Sequence, residues 1–139
     1  QYPHWPGSGG ADEQGAGAGQ GTTLNVPFAA ATSRKAYRDG FLRALEHVEE
    51  SFEPDFVLVS AGYDALAGDP LGGLLLEPID YHWMTAELVS RAQSWCSGRV
   101  VAALEGGYDP KRTGQAAALT LRALAGIEAA GGPGLDEDR

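Results

Sequence analysis

The chain has 139 residues, of which 43% are hydrophobic and 21% are charged, so it can build a core and is not compositionally disordered. Its net charge of −9 argues against a nucleic-acid binder, which needs a basic face, and its one cysteine, Cys96, excludes a disulfide framework and a zinc site made of cysteine pairs. No apolar run reaches the roughly 20 residues that span a bilayer. The chain begins at Gln1 and its only methionine is Met84, so we expect a piece of a longer protein.

Glycine-dominated residues 7–21 predict a loop that leads into a short strand at residues 22–28. The glycine spacing fits no dinucleotide-binding fingerprint in either register, and that fingerprint opens a helix rather than a strand. Ser33 is a favourable cap for a helix of about 20 residues. Pro54 ends this helix, whose apolar residues lie three or four apart on one face: Tyr37, Phe41, Leu45, Val48 and Phe52.

The second half of the chain repeats this alternation. Residues 55–60 and 99–104 are apolar on both faces, as in buried parallel strands. Pro78 begins a helix that Gly98 ends, and its inward residues are Trp83, Leu88, Ala92 and Trp95. Asp109 caps a last helix with Pro110 at its first position and an apolar face of Ala117, Leu121 and Leu124.

Three strands alternating with three helices predict an α/β fold, with a parallel sheet and helices on both faces in a three-layer arrangement. Three strands are few for such a sheet, which again suggests part of a domain. The loop at residues 61–78 is rich in glycine and proline. Residues 127–139 predict a flexible tail because they are polar and rich in breakers.

Ligands of open α/β sheets bind beyond the carboxyl ends of the strands. Two segments lie there, namely residues 60–64 (Ser-Ala-Gly-Tyr-Asp) and 105–109 (Glu-Gly-Gly-Tyr-Asp). Asp64 offers a carboxylate for a metal or a base, and Tyr108 offers a hydroxyl that can donate to an oxyanion. The pattern alone leaves open that Asp64 only caps a turn, and Asp109 is interpreted as a helix cap.

The histidines and the cysteine are weaker candidates. His47 lies among glutamates, which is typical of a solvated face, and His82 lies between Tyr81 and Trp83, which favours packing. His4 lies in an aromatic loop, where a place on a substrate rim and a structural role remain equally open. Cys96 has no activating neighbour in the sequence and is expected to be inert.

Five motifs occur in an order that closely resembles the carboxyl-terminal half of the histone deacetylase superfamily, especially class II-like bacterial deacetylases and acetylpolyamine amidohydrolases. They are Trp-Pro-Gly-Ser-Gly at 5–9, Asn-Val-Pro at 25–27, Val-Ser-Ala-Gly-Tyr-Asp-Ala at 59–65, Gly-Asp-Pro-Leu-Gly at 68–72 and Leu-Glu-Gly-Gly-Tyr-Asp at 104–109. The resemblance covers residues 1–126 as the carboxyl-terminal portion of a catalytic domain. It implies an arginase/deacetylase fold.

The resemblance also implies the chemistry. It assigns Asp64 as a ligand of a catalytic Zn²⁺, and Tyr108 as the catalytic residue that binds the substrate carbonyl and the tetrahedral intermediate. The other two ligands, an Asp and a His of a D-x-H motif, and a general-base histidine pair are expected upstream of residue 1. Trp5, Gly106 and Gly107 would shape the acyl-lysine tunnel, and a K⁺ site would use backbone carbonyls near residue 22.

Leu71 stands where polyamine-selective members carry glutamate, so the resemblance favours acetyl-lysine in a protein or a related small acetylated amine. Deacetylation is the leading hypothesis, and an acetylpolyamine deacetylase or a non-catalytic binding module of pseudo-deacetylase type is the alternative. The isolated 139 residues are expected to be inactive. A cytoplasmic protein is expected from the family resemblance and the reduced cysteine. No nucleic-acid or membrane partner is expected from the acidic charge and the lack of a long apolar run.

Overall fold

The computed structural model describes residues 2–4 and 6–129, and this part of the chain contains three α-helices and two β-strands. In chain order they are α1 (Arg34–Ser51), β1 (Val57–Ala61), α2 (Pro78–Cys96), β2 (Val100–Leu104) and α3 (Pro110–Leu124). A single 3₁₀ turn at Gly17–Gly19 interrupts the glycine-rich loop. Across the described residues, no helix has both the length and the apolar character that a membrane crossing requires.

The helices begin and end where capping chemistry predicts. The Ser33 hydroxyl accepts a hydrogen bond from the Ala36 N–H (3.2 Å) at the start of α1. The Asp109 carboxylate accepts from the N–H groups of Lys111 and Arg112 at the start of α3. Helix α2 begins at Pro78 and ends in a left-handed turn at Ser97. The predicted starts of all three helices are therefore confirmed.

Strands β1 and β2 pair in parallel, in a register that places Val57 opposite Val100 and Ala61 opposite Leu104. Val59 and Ala102 line one cavity together with side chains of all three helices. On the opposite face Leu58 is 79% exposed and Val101 is 52% exposed. Within the described residues, helices therefore cover one face of the strand pair, and the apolar side chains of the other face are uncovered.

Residues 22–28 do not form the predicted strand, and the sheet of the described residues has two strands rather than three. Pro27 has no N–H to give to a ladder, and no strand in the described part pairs with this segment. Side chains hold it instead. The Asn25 amide donates to the carbonyls of Gly10 and Glu13 (3.0 Å each), and the Phe28 ring stacks on Tyr37 with centroids 4.5 Å apart.

The buried face of α3 also differs from the prediction. Leu121, predicted to be inward, is 66% exposed, while Ala117 packs on the edge of the core and Leu124 lines the cavity beneath the sheet. The buried face consists of Thr113, Ala116, Thr120 and Ala123. Small residues face α2 because the two helices pack closely, so side-chain size rather than hydropathy decides which face of α3 is inside.

The core lies directly beneath the loop that follows β1. Tyr63, Leu66 and Leu76 are at most 3% exposed and pack with Tyr81 and Ala116. Leu66 and Leu76 form an isolated parallel bridge, supported by a hydrogen bond from the Ala67 N–H to the Leu76 carbonyl (2.8 Å). This packing fixes the conformation of residues 61–78, although the segment has little regular secondary structure.

An ion-pair cluster fastens α1 to α2. The Asp80 carboxylate is fully buried and accepts from the Arg34 Nε (2.7 Å), the Arg38 Nε (2.8 Å) and the Glu77 N–H (2.8 Å). The Arg38 guanidinium also lies over the Trp83 ring at 5.3 Å. Nothing in the sequence pattern singles out these residues, because their partners are more than 40 positions apart.

Removal of this carboxylate should destabilise the protein. We expect Asp80→Ala to lower the free energy of unfolding by about 3 kcal/mol, because it leaves two arginines without their shared partner in a mostly buried place. Urea unfolding of the complete protein measures this change. Asp39→Ala is the matched control, since the Lys35–Asp39 pair is exposed and its loss should cost less than about 0.5 kcal/mol. Equal losses in both variants would contradict the prediction.

Candidate active site

Asp64 lies three residues beyond the end of β1, on the wall of a cavity of about 220 Å³. His4, Phe28 and Tyr37 line the same cavity. Asp64 takes part in none of the salt bridges of the described residues. A half-buried carboxylate with no cationic partner there is free to bind a ligand that enters the cavity.

Three glycines surround Asp64 and set its position. A Cβ on Gly106 would lie 2.9 Å from the Asp64 Oδ2, and one on Gly62 would lie 3.1 Å from the Oδ1. A Cβ on Gly72 would collide with the Asp64 carbonyl oxygen. Backbone from three different segments therefore packs against this one residue, and any side chain at Gly72 or Gly106 would displace it.

The loop after β2 lies against the loop after β1. The Tyr63 N–H donates to the Gly106 carbonyl (2.9 Å), and the Glu105 N–H donates to the Ala61 carbonyl (3.1 Å). Gly107 has a φ of +124°, and a Cβ there would lie 2.8 Å from the Cβ of Tyr63. The two strand-end segments identified in the sequence are thus brought together by direct backbone contact.

Tyr108 follows Gly107 and is 52% exposed, while Leu71 in the other loop is 57% exposed. Neither belongs to the lining of the Asp64 cavity as the described residues form it. Trp5, the predicted aromatic wall of the tunnel, lies outside the described residues. Gly106 is in contact with Asp64. The substrate-binding roles of Gly106, Gly107, Leu71 and Trp5 stay predictions.

The Asp69 carboxylate links the two loops and is 6% exposed. Its Oδ1 accepts from the N–H groups of Leu71 (2.9 Å) and Gly72 (3.0 Å), which closes its own loop. Its Oδ2 accepts from the Tyr108 N–H (2.7 Å), which lies 39 positions away. The sequence alone does not reveal this connection to Tyr108, because the two residues lie 39 positions apart.

Two phenols beneath Asp64 are held neutral. Burial raises the pKa of Tyr37, and the nearby negative charge of Asp64 raises it further. Burial also raises the pKa of Tyr81, with smaller contributions from Tyr37 and Asp64. Both side chains therefore keep their protons across the physiological range and can act only as neutral hydroxyl groups. Sequence reasoning gave Tyr37 no role beyond packing.

The remaining weak candidates occupy other parts of the structure. The His82 Nε2 lies 2.9 Å from the Ile127 carbonyl, so this histidine holds the chain where it leaves α3. Arg122 donates to the Glu128 carbonyl at the same place, at the start of the predicted tail, and residues 130–139 lie outside the described part. Cys96 is buried, which agrees with the expectation that it is inert.

Asp64 fits one position of a metal site but does not form such a site alone. Within residues 2–4 and 6–129 no group of three His, Cys, Asp or Glu side chains could hold a metal ion. A catalytic zinc commonly has three protein ligands and one open position. The described residues thus provide one suitable carboxylate.

The comparison with known families agrees with this geometry. The family model described as "Histone deacetylase domain" matches residues 1–124. The chain belongs to the histone deacetylase family.

Its α/β architecture is that of the solved family domains. It has a TM-score of 0.80 and 34% identity to the crystal structure of the HDA15 HD domain, over 94% of this chain and 36% of that one. The structure of the histone deacetylase Clr3 gives a TM-score of 0.80 and 35% identity, over 92% and 21% of the two chains.

Curated relatives give the same assignment. Histone deacetylase 10, chloroplastic, of Oryza sativa subsp. japonica is 39% identical over 91% of this chain, and the match covers 28% of that protein. A probable deacetylase of Archaeoglobus fulgidus is 39% identical over 78% of this chain and 30% of its own length. The chain therefore spans about three tenths of these two relatives.

The Asp69 carboxylate should make stability depend on pH. Burial raises its pKa, but hydrogen bonds from the N–H groups of Tyr108, Leu71, Gly72 and Asp109 lower it more, so the pKa lies below its ordinary value of 3.8. The folded-state pKa is then below the unfolded one. The stabilisation is present above the unfolded pKa and is lost as pH falls through the folded pKa.

We expect the free energy of unfolding to decrease as pH falls below about 5, and to decrease less steeply in Asp69→Asn, which has no proton to gain at that position. Urea unfolding at a series of pH values measures the two slopes. Asp55→Asn serves as the control because Asp55 is exposed. A constant difference between wild type and Asp69→Asn at every pH would contradict this explanation.

Proposed function

We propose that the protein containing this chain is a zinc-dependent amide hydrolase that removes the acetyl group from lysine side chains. One observation carries the proposal. In a chain of the histone deacetylase family, the parallel register of β1 and β2 brings the segments bearing Asp64 and Tyr108 into contact at one edge of the sheet. A carboxylate and a phenol at that edge are the two groups that this chain can supply to such a reaction.

Asp64 would be one zinc ligand, and the part of the deacetylase domain that precedes residue 1 would supply the other two. Its half-buried carboxylate fits that role because it faces a cavity and has no salt-bridge partner among the described residues. Bound zinc would polarise the amide carbonyl and acidify a water molecule. Gly106 leaves room for the carboxylate and Gly72 leaves room for the Asp64 backbone carbonyl, and a side chain at either position would displace Asp64.

Tyr108 would donate its hydroxyl proton in a hydrogen bond to the oxygen of the substrate carbonyl as negative charge develops there. Such donors act in the transition state more than in the ground state, and loss of one typically costs roughly 10²–10³ in rate. The hydroxyl is available because Tyr108 is half exposed at the open edge of the sheet. The same bond would hold the tetrahedral intermediate until the amine leaves.

The loop beside the site supports a proposal about the substrate class. Leu71 is exposed and apolar, and offers no negative charge to the ammonium groups of a polyamine. We therefore propose an acetylated lysine in a protein as the substrate, with acetylpolyamines as poor ones. Zinc is the proposed cofactor, and the potassium site and the cytoplasmic location stay predictions.

A second candidate function concerns the 139 residues alone. The described part holds no group of three His, Cys, Asp or Glu side chains that could bind a metal ion, so these residues by themselves should bind no catalytic zinc. We propose that they are inactive in isolation. If the complete protein also lacked the other two zinc ligands, it would act as a binding module rather than as an enzyme.

Replacement of Asp64 tests the metal role. In the complete protein, Asp64→Ala should abolish zinc binding and deacetylation together, because a zinc site that loses one of three ligands loses most of its affinity. Zinc content and turnover of an acetyl-lysine amide are measured on the same samples. Asp55→Ala is the matched control, since Asp55 precedes the opposite end of β1 and is exposed. Full activity in Asp64→Ala would refute the assignment.

Replacement of Tyr108 tests the second group. Tyr108→Phe removes one hydroxyl and should lower kcat by roughly 10²–10³ while zinc content stays unchanged, because the lost hydrogen bond forms in the transition state. Tyr2→Phe is the control, as Tyr2 is a partly exposed tyrosine remote in sequence from both strand ends. A Tyr108→Phe enzyme with wild-type kcat would exclude the catalytic role.

A further inference from the structure

Asp69 has an unusual set of partners for a buried carboxylate. Its side chain is almost inaccessible, and it takes part in no salt bridge within the described part of the chain. Its negative charge is met by the backbone N–H groups of Leu71, Gly72 and Tyr108. Hydrogen bonds from N–H groups to a carboxylate are short and strong, so this arrangement ties backbone to backbone through one side chain.

The two carboxylate oxygens have different tasks. The Oδ1 closes the turn that follows Asp69 in sequence, which a serine or asparagine side chain can also do. The Oδ2 reaches the backbone of Tyr108, 39 positions further along the chain, at 2.7 Å. A serine or asparagine that only closed the turn would lack this second bond. The bond is made to the backbone of Tyr108, the residue that bears the proposed catalytic hydroxyl.

Within the described residues, packing alone holds Tyr108 weakly. Half of its surface is exposed, and the preceding residue, Gly107, has no Cβ and so restrains the backbone less than another residue would. The neighbouring anchors act one or two residues away, through the Gly106 carbonyl and the Asp109 helix cap. Asp69 is the side chain that holds the Tyr108 N–H itself.

We propose that Asp69 is a positioning residue for Tyr108, and that it sets where the Tyr108 hydroxyl lies relative to Asp64. The proposal rests on the function proposed above for Tyr108. Asp69 acts through the backbone and touches neither substrate nor metal. Displacement of a catalytic group by about 1 Å can cost up to roughly 10²-fold in rate, so a lost anchor should be visible in kcat.

Asp69→Asn is a selective test of this link. Its one carbonyl oxygen can keep the two bonds of the Oδ1 position, and the amide NH₂ then faces the Tyr108 N–H, where two donors meet and no bond forms. The local turn survives and the link to Tyr108 is lost. Asp69→Ser is the second variant, because its hydroxyl can still accept from the turn but is too short to reach Tyr108.

The decisive experiment is a double-mutant cycle in the complete zinc-loaded protein, with an acetyl-lysine amide as substrate. We expect Asp69→Asn to lower kcat about 10- to 100-fold with KM changed less than about twofold. In a Tyr108→Phe background the same substitution should change kcat by less than about twofold, because its effect passes through the missing hydroxyl. An equal loss of kcat in both backgrounds overturns the proposal and indicates general destabilisation. Wild-type kcat in Asp69→Asn overturns it too.

Amide hydrogen exchange gives a readout that does not depend on turnover. The Tyr108 amide should be protected in the wild-type protein and exchange at least about tenfold faster in Asp69→Asn, while the Leu71 and Gly72 amides stay protected. If neither variant folds, hydrogen exchange of the Tyr108 amide in the wild-type protein still tests the proposal, and an unprotected amide overturns it. A wild-type protein without deacetylase activity refutes the proposed function, whereas a protected Tyr108 amide in that same protein still supports the anchor.

Discussion

The parallel pairing of β1 with β2 is the constraint on which the site depends. Parallel strands end at the same edge, and the register that sets Ala61 opposite Leu104 brings both strand-end loops level with each other. Two further hydrogen bonds continue the contact beyond the ladder, from Glu105 to Ala61 and from Tyr63 to Gly106. Two segments that carry a carboxylate and a phenol, 44 positions apart in sequence, thereby lie in direct contact.

Three buried or half-buried aspartates illustrate how environment gives one residue type different roles. Asp80 is fully buried between two arginines and joins α1 to α2. Asp69 is nearly as buried, but hydrogen bonds from backbone N–H groups stabilise its charge, and it joins two loops. Asp64 faces a cavity without a salt bridge among the described residues, which leaves its oxygens available. The first two carboxylates join parts of the structure, and the third is the one proposed to bind zinc.

The sequence was sufficient where local chemistry decides. Ser33, Pro78 and Asp109 mark the helix starts, because capping and proline geometry act within one turn. The runs of residues 57–61 and 100–104 are strands, as their β-branched and apolar composition indicates. Prediction failed at residues 22–28, whose apolar pattern is compatible with a strand but whose backbone finds no partner within the described residues. It failed at Leu121 because close helix packing selected small side chains.

By itself, the sequence determined the two strand ends, the helix caps, the acidic charge and the ordered motifs that identify the deacetylase family. Tertiary structure alone decided the rest. It placed Gly106 against the Asp64 carboxylate, paired Asp80 with Arg34 and Arg38, and connected Asp69 to the Tyr108 backbone. The physical reason is that these contacts join segments about 40 positions apart. Their geometry depends on register and packing, which no local pattern of residues encodes.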